Sequence, residues 1–140
     1  MFVVLFSDQI RQPPGQNGWM AAGPEWTDAV LRWVSSFTPD GGTVPLPAFN
    51  LVFSQPARPD VIYFLTDGVF TDPSPSYLRK LCGAPPDIWD KAKRFLFGGS
   101  DADRGHATVI HTTTLDDASG ADICRKIADA VGGNYSHVSS

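Results

Sequence analysis

Short apolar runs and amphipathic stretches alternate along the chain, divided by Pro- and Gly-rich breaks. Val61–Leu65 is the sharpest run, an unbroken apolar stretch that stops at Thr66-Asp67-Gly68. So short a continuous run predicts a strand buried on both faces, as in a parallel sheet covered by helices. Phe2–Phe6 predicts a second strand. Ala107–Thr113, rich in β-branched residues, predicts another buried one. Asn134–Val138 alternates in character and predicts a last strand, and Trp19–Ala22 a short edge strand.

Helical periodicity fills the intervals. Val30, Trp33, Val34 and Phe37 recur at i, i+3, i+4 and i+7, one face of an amphipathic helix. Thr27 reads as its N-cap, with Asp28 in the first turn. Only Trp33 of the pair Trp26 and Trp33 fits this stripe, so Trp26 is expected at the helix entry. Pro39-Asp40-Gly41-Gly42 ends the helix. Pro45 and Pro47 limit the next segment to a turn or two near Ala48–Phe53. Pro73–Cys82 predicts a short helix capped by Ser74, with Pro75 at its first position. After Pro85-Pro86, Asp87 can cap a helix with Ile88, Ala92, Phe95 and Leu96 on one face, followed by a polar loop over Gly98–Gly105. Ser119-Gly-Ala-Asp122 resembles a capping box with Asp in place of Glu. Ile123, Ile127 and Val131 then share a helical face that Gly132-Gly133 terminates.

Strands alternating with helices in this order predict an α/β fold with a mostly parallel, doubly wound sheet between helical layers. Its crossovers should be right-handed. Ser7–Gly18, rich in Pro, Gly and Gln, predicts a loop. Residues 1–140 read as one domain, without internal repeats.

Composition narrows the picture. The chain has 140 residues, 42% hydrophobic, with a formal net charge of −4 and no basic block. That argues against a general nucleic-acid surface. No apolar stretch is long enough to span a bilayer. Met1–Phe6 lacks a positive n-region and a cleavage site, so it reads as a strand and not a signal peptide. A cytoplasmic location is the default expectation. Cys82 and Cys124 stand far apart without a CxxC pattern and are expected as buried free thiols.

Candidate chemistry centres on the strand end. In open α/β sheets ligands bind just beyond the carboxyl ends of the strands, and Thr66-Asp67-Gly68 offers a hydroxyl, a carboxylate and a flexible Gly there. Asp-Gly is also a common turn pair. Other groups offer less. His106, His111 and His137 are too scattered for a metal cluster, and His111, inside a strand, reads as structural. Ser7, Ser100 and Ser119 lack a G-x-S-x-G context. Asp101 and Asp103 have no Gly or distal Glu to complete a calcium loop. Asp67 and Asp72 together raise the alternative of a metal-dependent hydrolase, although no nucleophile or clear base accompanies them.

Three pieces together resemble the von Willebrand factor type A family: Gly41-Gly42-Thr43, the apolar strand ending in Thr66-Asp67-Gly68 about two dozen residues later, and the tail Val109-Ile-His-Thr with Ile123-Cys-Arg-Lys-Ile-Ala-Asp-Ala-Val-Gly-Gly-Asn-Tyr135. The resemblance implies a three-layer, Rossmann-like α/β fold and a role in protein–protein interaction. It also implies a metal-ion-dependent adhesion site in which Thr43 would offer a hydroxyl to Mg²⁺ and Asp67 would approach the ion directly or through water. A small hard cation prefers such oxygen ligands. The open metal position of a complete site accepts an acidic side chain of the partner.

The sequence departs from the family at its main metal motif, Asp-x-Ser-x-Ser, which is missing here. In Phe6-Ser7-Asp8 the Ser precedes the Asp, and Gln9–Arg11 add no hydroxyl. The about 35 residues between Asp8 and Gly42 are also too few for the helix and two strands that the family places there. Phe2–Phe6 therefore matches the second family strand, and the first strand and helix are lacking. The resulting expectation is an N-terminally incomplete domain with an incomplete metal site at Thr43 and Asp67, and weak or absent Mg²⁺ binding. The gap left by the central strand would be closed by Val3–Leu5 pairing with Ile62–Phe64, by a dimer, or by strand complementation. A truncated remnant without independent activity is a further alternative.

Overall fold

The computed structural model describes residues 1–38, 41–83 and 107–139. The expected helix after Asp87, the Gly98–Gly105 loop and His106 lie outside them. The elements run β1 (Leu5–Phe6), β2 (Ile10–Arg11), α1 (Pro24–Ser35), α2 (Leu46–Phe53), β3 (Val61–Thr66), α3 (Pro75–Cys82), β4 (Val109–Leu115), a 3-10 turn (Ala118–Gly120), α4 (Ala121–Val131) and β5 (Tyr135–Val138). The fold is mixed α/β. Its main sheet has three parallel strands in the order β3-β4-β5, and β1 and β2 form a separate antiparallel pair.

Parallel neighbours require a crossover, and the chain supplies helices for both. α3 lies between β3 and β4, and α4 between β4 and β5. The register places Val61 beside Val109 and Thr66 beside Thr114, then Thr112 beside Tyr135. One face of the sheet carries the core. Phe64 and Ile110 pack there with Phe49 of α2, Leu78 and Cys82 of α3, Cys124, Ile127 and Val131 of α4, and Phe70. Phe64 is the hub of an aromatic group. Its ring lies 5.2 Å from Phe49, 5.4 Å from Phe70 and 5.4 Å from Phe6.

The opposite face of β3 differs from expectation. Val61, Tyr63 and Leu65 are 42%, 74% and 49% exposed. The apolar run is therefore buried on one face only, and no helix among the described residues covers Tyr63. A continuous apolar sequence does not separate a doubly covered strand from one whose second face stays open. β4 is better covered, alternating fully and partly buried residues.

Local signals explain the helix boundaries. Ser74 Oγ accepts from Tyr77 N at 3.2 Å, with Pro75 at the first helical position of α3. α4 ends where Gly132 takes φ 76°, a left-handed conformation that glycine adopts without a Cβ penalty. Gly133 is needed for a second reason: a Cβ there would collide with the Ile110 carbonyl, so the helix exit runs against β4.

Other boundaries correct the sequence reading. α1 starts at Pro24 with Gly23 as N-cap, and Thr27 lies inside it, its N–H donating to the Gly23 carbonyl at 3.0 Å. Proline at N1 presets the first helical φ and outweighs the weaker Thr signal. The inward stripe is Trp26, Val30, Trp33 and Phe37, whereas Val34 is exposed. α2 begins two positions before Ala48, at Leu46, with Pro47 tolerated in its first turn. The capping-box expectation at Ser119 fails: Asp117 Oδ1 accepts from Ser119 N at 2.9 Å and starts the 3-10 turn, and α4 follows from Gly120.

The N-terminal segment departs most. Only Leu5–Phe6 of Phe2–Phe6 is a strand, and its partner Ile10–Arg11 lies within the stretch expected to be loop. Gln16 explains the late start, because its side-chain amide both donates to and accepts from the Val3 backbone at 2.9 Å. Trp19–Ala22 is not a strand either. It meets the N-terminus through Met20 N, which donates to Met1 O, through the Met1 ammonium, which donates to Met20 O, and through the Trp19 ring, 5.7 Å from that of Phe2. β1 pairs with β2 and not with β3, so Val3–Leu5 does not close onto Ile62–Phe64. The contact between them is the Phe6–Phe64 ring stack.

Candidate functional site

Thr66 closes β3 and is 4% exposed. Its hydroxyl lies 3.2 Å from Gly68 N, which donates to it, and 3.4 Å from Gly68 O. The side chain thus folds the chain over itself at the strand end, a hydroxyl-stabilised turn. This corrects the expectation of a free hydroxyl: Thr66 shapes the turn, and the exposed group is the Asp67 carboxylate.

The residues of the two sequence motifs meet. A Cβ on Gly68 would strike the Thr43 hydroxyl, so Thr43 Oγ1 lies against the glycine that follows Asp67. The 41–44 segment is tied to β1 at its other side. Gly42 N donates to Asp8 Oδ1 at 2.8 Å, and Val44 N donates to Ser7 O at 3.2 Å. Side chains at Gly41 or Gly42 would run into the Asp8 carboxylate, at 2.8 and 2.6 Å. These close approaches explain why two glycines precede Thr43.

The end of β4 joins the same corner. A Cβ on Gly120 would press against the Gly68 carbonyl, which brings the 3-10 turn onto the β3 exit. Asp116, at φ 56°, donates its N–H to Val138 O at 2.8 Å and turns the chain toward Asp117. The chain just after β1, the exit of β3 and the turn after β4 therefore meet at one corner, around Asp8, Thr43 and Gly68, with Asp67 exposed beside it. Sequence reasoning reached Thr43 and Asp67 but set Asp8 aside as a metal motif. Its position directly after an apolar strand was the available signal, the same one that marks Asp67.

The donor set suits Mg²⁺ in kind, because carboxylates and a hydroxyl are hard oxygen ligands. Among the described residues no three His, Cys, Asp or Glu side chains converge closely enough to hold a metal ion, and Asp8 spends one oxygen on Gly42. Asp72, the second carboxylate of the hydrolase alternative, is exposed beyond Phe70.

The remaining candidates have structural roles. His111 Nδ1 accepts from Asn134 N at 3.1 Å, and its ring stacks on Tyr63 at 5.4 Å. His137 Nδ1 lies 2.9 Å from Thr114 Oγ1, which also meets the Tyr135 hydroxyl at 2.8 Å. Cys82 and Cys124 are free and fully buried. Burial pushes both thiols up to about 11, with Arg58 partly opposing it at Cys82. A shallow depression lined by Trp19, Arg58, Pro59 and Asp60 lies at the opposite end of β3, about 20 Å from Asp67 at strand rise.

The chain matches no protein-family model, no curated protein and no solved structure. No helix among the described residues is long and apolar enough to cross a membrane.

Proposed function

We propose that this chain is a protein-interaction module of the von Willebrand A type, acting by binding and not by catalysis, with its contact surface at the carboxyl ends of β1, β3 and β4. The observation that carries this reading is the seating of Thr43 against Gly68, which joins the two short motifs of the resemblance into one corner. Position supports it as well, since open parallel sheets bind ligands outside their carboxyl strand ends.

The metal site on this reading is partial. Thr43 and Asp67, with Asp8 beside them, would hold Mg²⁺ only weakly and leave most of its shell to water. An acidic side chain from the partner would complete the shell. Isothermal titration calorimetry with Mg²⁺ and Mn²⁺ tests this. The expected result is no binding in the micromolar range. Micromolar affinity that disappears in Asp67→Ala would show a complete site and overturn the incomplete-site reading.

A further inference from the structure

Ladder parity decides which main-chain groups of β3 are used. In a parallel pair a residue bonds the neighbouring strand through both its N–H and its C=O, and the next residue turns both away. Val109 N donates to Asp60 O at 3.0 Å, and Ile62 and Phe64 stand beside Ile110 and Thr112. Asp60, Ile62, Phe64 and Thr66 therefore face β4. Val61, Tyr63 and Leu65 direct their N–H and C=O to the other edge. Among the described residues no hydrogen bond reaches those groups, and the sheet ends at β3.

The side chains of the same three residues are the exposed ones, with Tyr63 at 74%. Sheet edges normally discourage pairing by a charge, a proline or a bulge. Val61–Leu65 contains no charge or proline, and its register with β4 runs unbroken.

We propose that β3 pairs with β3 of a second copy of this chain, antiparallel and about a two-fold axis through Tyr63. The sequence is self-complementary in that register. Tyr63 faces the second copy's Tyr63, and Val61 faces the second copy's Leu65. Every outward N–H and C=O of the trio then meets a partner, because all three are hydrogen-bonded positions of the new ladder. Asp60 falls opposite Thr66 and Asp67 opposite Pro59, so no two carboxylates face each other. A two-residue slip in one direction puts Asp67 opposite Val61. A slip in the other brings Pro59, which has no N–H, into the ladder. The patch is self-matching, as a two-fold interface requires. The result is a continuous sheet with the aromatic pair at its centre. With only three residues per copy in the ladder, the patch is small against the ~800 Å² per partner of a standard interface, so the dimer is weak and concentration-dependent. This edge is separate from the Asp67 surface, and either assignment can fail alone.

Sedimentation velocity from about 10 µM to 1 mM reads the association, and cysteine cross-linking reads the register. The wild-type chain is expected to shift from monomer to dimer across that range. Tyr63→Lys, which sets two ammonium groups face to face, is expected to weaken the dimer about fivefold or more. Tyr63→Cys should form a disulfide dimer under mild oxidation, because directly opposite hydrogen-bonded residues lie about 5.5 Å apart at Cα. Val61→Cys and Leu65→Cys should not cross-link alone but should do so when mixed. A chain that stays monomeric at 1 mM would overturn the proposal. So would Leu65→Cys cross-linking alone as fast as Tyr63→Cys, or amides of Val61, Tyr63 and Leu65 protected from exchange in the monomer, which would mean that another segment of the chain covers the edge. If Tyr63→Lys does not fold, as judged by circular dichroism, the cysteine pattern still decides.

Discussion

Cys82 and Cys124 carry the only thiols of the chain, and their burial sets their chemistry. A thiol surrounded by carbon keeps its proton because the thiolate would lose its hydration. Both are pushed up to about 11 from 9.0. Two outcomes are expected. A thiol reagent at pH 8 should leave the folded protein unlabelled and modify both cysteines once urea unfolds it. Stability should also depend on pH in a defined direction. The folded state holds these protons more tightly than the unfolded state, so their contribution is intact below about pH 9 and is lost as pH rises toward about 11. Rapid labelling of the native protein, or stability that rises across that interval, would contradict the burial. At the same scale, Thr66 and Asp67 are adjacent residues with opposite fates. The hydroxyl is consumed by its own turn and the carboxylate faces solvent.

At the scale of elements, legibility in the sequence follows the strength of local signals. The start of α3 is readable because Ser74 and Pro75 act within the first turn of the helix they begin. The end of α4 is readable for the same reason, through Gly132. Gly133 is different, since its requirement comes from the Ile110 carbonyl on another strand. Gly133→Ala is therefore expected to cost about 2–4 kcal/mol, read as a lower urea midpoint with unchanged slope. A neutral substitution would mean that the helix exit does not press on β4. The hairpin of β1 and β2 is not legible, because its turn at Ser7–Gln9 lacks the Asn-Gly or Asp-Gly signal of tight hairpins. Its strands are two residues each, too short for alternation to show. The half-open state of β3 is hidden for another reason: an apolar sequence records what could be buried, not what covers it.

Across the whole molecule, Phe64 ties the parts together. Its ring meets Phe6 of the hairpin, Phe49 of α2 and Phe70 beyond the site turn. Phe64→Ala should cost about 3–5 kcal/mol and loosen all three at once, visible as faster amide exchange in the hairpin and in α2. Exchange changes confined to β3 would contradict that linkage. The candidate site depends on the same convergence. The family resemblance points to Thr43 and Asp67, and Asp8 carries only the weaker signal of following an apolar strand until the fold brings it to Gly42. Paramagnetic relaxation by Mn²⁺ reads whether these loops act as one oxygen-lined surface, because it detects weak binding and locates it. Mn²⁺ is expected to broaden the amide signals of Asp8, Gly42, Thr43, Asp67 and Gly68 first, and Asp67→Asn to remove the effect. Broadening spread evenly over the surface acids, or centred elsewhere and unchanged in Asp67→Asn, would contradict that reading.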